Sequence, residues 1–155
     1  MPEPKFIPKP GQVDYTDIRY APVLDVVVTR HGKILLAKRS ADRLVYPDCW
    51  AAVAGFLDDD EDIETKAYEE LLEELGIERA KVLKLTRGQV LLRDVPKYKK
   101  TYLIVPLLAE VNTDEFILDW EASEARWFAP EEIPKLDLMP GMLNVIGQFF
   151  SEVLN

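Results

Sequence analysis

Four glutamates crowd one stretch of this chain, Glu69-Glu70-Leu71-Leu72-Glu73-Glu74-Leu75, with Ala54-Gly55 and Glu61 upstream and Gly76 closing it. Wound as a helix at about 100° per residue, Glu69, Glu70, Glu73 and Glu74 fall within an arc of about 140°, while Ala67, Tyr68, Leu71, Leu72 and Leu75 take the other side. One face is a core seam and the other a carboxylate cluster. Like charges three and four residues apart on a helix repel, so this face calls for a positive counterpart. A hard divalent cation is the natural one. Magnesium favours oxygen ligands, takes one or two protein carboxylates and completes its shell with waters and substrate phosphates. Glu70, Glu73 and Glu74, on adjacent turns, can converge on one or two such ions.

The elements around this cluster follow from local signals. Asp62 is a fitting N-cap and Gly76 a fitting left-handed stop, which predicts a helix over residues 63–75. Residues 23–29 and 33–37 read as two strands of a hairpin turning at His31-Gly32. Residues 43–50 read as a loop around Pro47-Asp48, and 50–57 as a short apolar segment holding Gly55. Further strands are expected at 82–86, 89–93, 100–111 and 125–128, then a turn or short helix at 130–133. An amphipathic helix is expected over 141–154, with Leu143, Ile146, Phe150 and Leu154 recurring on one side. Strands and helices are mixed in order, which points to an α+β or sandwich fold rather than a doubly wound parallel sheet. Residues 1–20, rich in proline, read as an extended arm, and residues 21–155 as a single domain.

At 155 residues the chain suits one domain with a sizeable core, and its 48% apolar and 30% charged content is ordinary for a globular protein. The formal charge of −9 argues against general affinity for nucleic acid or an anionic membrane, although bound cations can reverse the field locally. Cys49 is the single cysteine, so no intramolecular disulfide forms and a cytoplasmic location is expected. No apolar run has signal-peptide character or the ~20 residues of a membrane span.

Gly55, Glu61, Glu70, Leu71, Glu73, Glu74, Gly76 and Ile77 together resemble the box of the Nudix (MutT-like) hydrolases, G-x5-E-x7-R-E-U-x-E-E-x-G-U with U a bulky aliphatic. The one departure is Glu69, where the family has arginine. Ile34 to Ser40 looks like the strand that often precedes the box. Ala125 to Phe128 with Glu131-Glu132-Ile133 looks like the family's late strand and turn. The resemblance implies an α/β/α sandwich around a mixed β-sheet, and an enzyme that cleaves the diphosphate linkage of a nucleoside diphosphate derivative or a nucleoside triphosphate. It also implies Mg²⁺, or Mn²⁺, held by Glu70, Glu73 and Glu74 with the backbone carbonyl of Ala54. The general base varies among subfamilies, being a box glutamate such as Glu73 or Glu74 or a carboxylate from a later loop, here Glu121 or Glu124. The family's arginine pairs with box glutamates, so Glu69 puts a negative charge where a positive one is expected, and Lys66 is placed to supply part of the missing cation. A catalytically weakened nucleotide- or protein-binding module is the competing reading.

Outside the box, Arg39 is a candidate for a phosphate oxygen because its planar fork suits bidentate pairing. Phe56, directly after Gly55, is a candidate for contact with substrate. Lys97, Lys99 and Lys100 with Tyr98 could form a basic flap, while Trp50, Trp120 and Trp127 suit either the core or stacking on a base. Met142, Leu143, Val145, Ile146, Phe149, Phe150, Val153 and Leu154 exceed one core-facing stripe, which raises a homodimer as an expectation. Asp58, Asp60, Asp62, Glu64 and Glu69 have EF-hand spacing, but Ile63 stands where that loop needs glycine. Isopentenyl diphosphate isomerases share the Nudix fold yet carry a cysteine where this chain has Ala54. Cys49 suits a structural thiol, His31 an exposed turn residue, and Ser40 has no acid-base partner nearby in sequence.

Overall fold

The computed structural model describes residues 3–154. Its strands are β1 (Tyr20–Arg30), β2 (Lys33–Arg39), β3 (Trp50–Ala51), β4 (Val53–Phe56), β5 (Val82–Arg87), β6 (Leu91–Val95), β7 (Lys100–Val111) and β8 (Ala122–Phe128). The helices are α1 (Ile63–Leu75), between β4 and β5, and α2 (Met142–Gly147) after β8. β1 runs parallel to β7, and every other pairing is antiparallel, so the sheet is mixed. The main order is β3-β2-β1-β7-β5, with β4 on β1, β6 on β7 and β8 on β2.

Because β1 lies in the middle, both of its faces must be covered, and its near-continuous apolar sequence reflects that. Leu24, Val26 and Val28 meet Ala67, Leu71 and Leu75 of α1 in one core. Ala21 and Val27 face the other core with Met142, Val145 and Ile146 of α2. Helices thus cover both faces of the sheet, giving the α/β/α sandwich. The β1–β2 hairpin turns at His31 and Gly32 with φ of 52° and 76°, the double positive φ that a two-residue type I′ turn requires.

Helix α1 has the expected bounds because its caps are local. The Asp62 carboxylate accepts from Thr65 N at 2.8 Å, and Gly76, at φ 63°, lets its own N–H and that of Ile77 reach the carbonyls of Leu72 and Leu71. The single helix expected over 141–154 does not form. α2 ends at Gly147, and the chain folds back into a 3-10 turn at Ser151–Leu154 that lays Leu154 against Gly147, where a Cβ would come within 2.6 Å of its side chain. Leu143, Phe149 and Phe150 are partly buried against the core of their own chain, while Leu154 stays exposed. Strand β6 starts two residues later than expected, because the Gln89 N–H and C=O are taken by the Gln148 side chain.

Residues 3–19 contain turns but neither helix nor strand, and they lie against the domain at three places. The Glu3 carboxylate accepts from Leu44 N at 2.8 Å and lies 3.7 Å from Arg43. Gln12 Nε2 and Val13 N donate to the side chain and backbone of Asp58, and the Tyr15 ring stacks on Phe56 at 5.8 Å and 17°. Lys100, expected in a basic flap, is buried instead and donates to the carbonyls of Tyr15 and Ile18, pinning the arm. Among the described residues no helix is long and apolar enough to cross a membrane.

Candidate active site

β4 delivers Gly55 to the carboxylate face of α1. A Cβ at Gly55 would lie 2.5 Å from Cδ and Oε1 of Glu70, so the bare backbone is what admits the Glu70 carboxylate so close to the strand. One turn on, Glu74 is within hydrogen-bonding reach of both Glu70 and Glu121, the latter arriving from the loop before β8. Arg43 fixes Glu121 from the other side, with Nη1 2.8 Å from Oε2. Asp119 caps the same loop by accepting from the Glu121 N–H at 2.9 Å.

The electrostatics record how crowded this is. Burial carries Glu70 up to about 7, with the hydrogen bond to Glu74 opposing and the charges of Glu73 and Glu121 adding to the rise. Burial, then the negative charges of Glu121 and Glu70, hold Glu74 well above the usual carboxylate range. Glu121 is also raised by burial, against the pull of Arg43, and burial raises Asp119. Oε2 of Glu74 is shut off from solvent with no hydrogen-bond partner among the described residues. In these rotamers no three acidic, His or Cys side chains among the described residues are arranged to hold a metal ion. The donor chemistry still fits a cation: hard oxygen ligands forced together at a cost in desolvation and repulsion, one of them orphaned.

The structure therefore brings Glu70, Glu74 and Glu121 together and keeps Glu73 at the exposed edge, close enough to act on Glu70. Glu124 is apart from the cluster, paired with Arg126 at 3.0 Å on β8. Arg39 lies beside Glu74 and Glu121, but Nε and Nη2 are bound to the carbonyls of Val45 and Tyr46 at 2.6–3.0 Å, so most of the expected phosphate fork holds a loop instead. Phe56 is 40% exposed and has one face under Tyr15. Ala54 pairs with Asp25 in the β1–β4 ladder. Lys66 does not reach the box glutamates closely. It is buried, with Nζ 3.1 Å from Asp58 and 3.0 Å from Asp59, and Glu69 more distant at 3.8 Å. Trp50 packs edge-on against Phe128 in the core, whereas Trp120, half exposed, lies under Arg43. The buried Cys49 thiol donates to the Tyr46 carbonyl.

Two acidic residues were missed in the sequence reading. Asp119 gave no signal beyond its place two residues before Glu121. Asp25 did give one, a charge inside the β-branched run of β1. It is 4% exposed, and burial, only partly offset by Arg93 and Arg39, raises its carboxyl to about 6. A carboxyl whose folded value is raised binds its proton more tightly when folded, so stability falls as pH climbs from about 4 to about 6 and stays reduced above that, by about 3 kcal/mol. Asp25→Asn should accordingly stabilise the protein at pH 7 by about 1–3 kcal/mol and give no gain below pH 4. Urea unfolding at both pH values measures this. Equal shifts at the two would mean that Asp25 does not titrate in that window.

A mixed sheet between helices thus presents a buried carboxylate cluster where α1 meets Gly55. The sequence matches the NUDIX domain over residues 19–149, and the chain belongs to that family. No curated protein matches it closely enough to count as a relative. Among solved structures it is similar to a MutT NUDIX hydrolase from Burkholderia pseudomallei, at 23% identity and TM-score 0.73, over 84% of this chain and 98% of that one. The NUDIX domain of Shewanella oneidensis NrtR, complexed with ADP ribose, gives 19% identity and TM-score 0.70 over 88% and 89%. A C. elegans Ap4A hydrolase gives 23% identity and TM-score 0.65 over 88% and 98%. At these identities the likeness is one of fold.

Proposed function

We propose that this protein is a magnesium-dependent hydrolase that cleaves the diphosphate linkage of a nucleoside diphosphate derivative or a nucleoside triphosphate and releases a monophosphate. The observation that carries the reading is the meeting of Glu70, Glu74 and Glu121 around a buried, unpartnered Glu74 oxygen. Glu70, Glu73, Glu74 and the Ala54 carbonyl are the ligands for Mg²⁺, with Mn²⁺ as a substitute. A cation held there would supply positive charge against the phosphates and the leaving group. Glu121, held by Arg43 and raised by burial, is suited to take a proton from the attacking water. Glu124 is the less suited base because it lies on β8 beside Arg126, apart from the Glu70–Glu74–Glu121 cluster. Arg39 supports phosphate binding as a nearby positive charge, and Phe56 with Tyr15 offers an apolar flank.

The three carboxylates come from one chain, so the reading requires no dimer. A single buried cysteine and an acidic surface support a cytoplasmic enzyme without general nucleic-acid affinity. Incubation with a broad panel of nucleotides and either Mg²⁺ or Mn²⁺ tests the proposal, the expected product being a nucleoside monophosphate. A panel left wholly intact would overturn it.

One observation favours the binding-module reading. Glu69 replaces the arginine, and Lys66 is engaged by Asp58 and Asp59, so no cation in the helix orients the box glutamates directly. That reading expects nucleotides to stabilise the fold by roughly RT ln(1 + [L]/Kd), seen as a higher melting temperature, without any product. A metal-dependent product peak would sink it.

A further inference from the structure

The sheet face that packs on α1 is longer than the helix that covers it. On β1, Tyr20 and Pro22 share this face with Leu24 and Val26, and on β7 Leu103 shares it with Val105 and Leu107. The cross-strand registers carry it further, since Pro22 pairs with Leu103 and Leu103 with Leu92 of β6. Under α1 the apolar residues Leu24, Val26 and Leu107 are buried. Beyond the first turn of the helix the face lies open, with Tyr20 60%, Val90 58%, Leu92 73% and Leu103 36% exposed. Single exposed apolar residues are ordinary, but these four stand together on neighbouring strands.

Charge marks both ends of the strip. At one end Thr101 and Asp94 continue the row from Tyr20, and Arg19 donates to Thr101 at 3.2 Å, lies 3.5 Å from Asp94 and covers the Tyr20 ring. At the other, Arg87, opposite Leu107, forks onto Glu64 in the first turn of α1 at 2.7 and 2.8 Å. Along β7 the two pairs lie about 20 Å apart. All four side chains are about half exposed, so each end offers one cation and one anion. Their charges cancel in a chain of net charge −9, so two copies can meet here without the repulsion that the acidic surface imposes elsewhere. A rim of one sign would call for a partner of the other sign. This rim is complementary to itself, because a two-fold rotation lays a cation over an anion whether it brings like ends or unlike ends together.

We propose that this strip is the contact surface of a homodimer, with Tyr20, Val90, Leu92 and Leu103 at its centre and the Arg19–Asp94 and Arg87–Glu64 pairs at its rim. The surface is distinct from the C-terminal segment, whose Leu143, Phe149 and Phe150 are partly buried on their own core. It is also independent of the hydrolase reading, since the carboxylate cluster lies further along α1 and is built within one chain.

Sedimentation velocity on the full chain, from about 1 to 500 µM, measures the association. The wild type should pass from the 17.7 kDa monomer toward twice that mass. Leu92→Asp should weaken self-association about tenfold or more and Asp94→Lys about threefold or more, each keeping the far-UV circular dichroism of the parent because both side chains are exposed. Val90→Lys carries the same test if Leu92→Asp fails to fold. Leu154→Asp, on the C-terminal segment, should leave association unchanged. A wild type that stays monomeric throughout would assign the strip to a different partner and overturn the proposal. Self-association that survives Leu92→Asp or Asp94→Lys, or that is lost in folded Leu154→Asp, would overturn it too.

Discussion

Glu74→Gln is expected to yield a protein that melts higher than its parent in the absence of metal and turns over at least about 10²-fold more slowly. The two effects share one cause. Glu74 is pressed between Glu70 and Glu121 with one oxygen orphaned, so its charge is unfavourable for the fold by itself. Glutamine keeps the volume, removes the charge and can donate to either neighbour, relieving about 1 kcal/mol or more of desolvation and repulsion. For a domain of this size that is about 2–4 °C in Tm. On the proposed reading a metal ligand is lost at the same time, and with it the means of stabilising charge on the phosphates. Calorimetric melting and a substrate assay on the same sample check both halves. Unchanged turnover with a raised Tm would reduce the cluster to a buried polar patch without chemical purpose.

Lys66→Met should be the most destabilising single change outside the apolar core, at about 3 kcal/mol, which corresponds to about 6–12 °C in Tm. Burial alone would push Lys66 down, but the hydrogen bonds that it donates to Asp59 and Asp58 more than reverse this, so the side chain is a firmly charged tie between α1 and the loop before it. Removing it strands Asp58, itself only 7% exposed, with the Gln12 amide as its remaining side-chain partner. Breaking one partner of a buried pair commonly costs 3–5 kcal/mol, and the retained contact argues for the lower end. Adding Asp58→Asn to Lys66→Met should recover much of the loss. Denaturant midpoints for the three variants decide it, and a single mutant as stable as the parent would show that the tie is not structural.

Much of this could be read along the chain because the signals were local. The caps Asp62 and Gly76, the His31-Gly32 turn and the spacing from Gly55 to Ile77 each act within a few turns of backbone. What the sequence did not reveal depends on contacts between distant segments. Glu121 and Glu124 each pair with an arginine, and only the position of Glu121 beside Glu74 separates them. Lys66 lay on the right wheel position for the box glutamates, but the loop brought Asp58 and Asp59 closer. Arg39 ended its strand as expected and was then claimed by loop carbonyls six and seven residues on. The C-terminal helix failed because Leu154 found a better place against Gly147 than further along the same axis.

The arm carries a consequence for handling the protein. Residues 4–11 are exposed throughout, yet the anchors on either side of them lie next to the chemistry, Glu3 on the arginine that holds Glu121 and Gln12 on the aspartate that holds Lys66. A trace of trypsin-like contamination cutting after Lys5 would free Glu3 while altering the mass by only a few residues. Such a preparation would pass a gel and then drift in assay, so the intact mass of each batch belongs beside its specific activity.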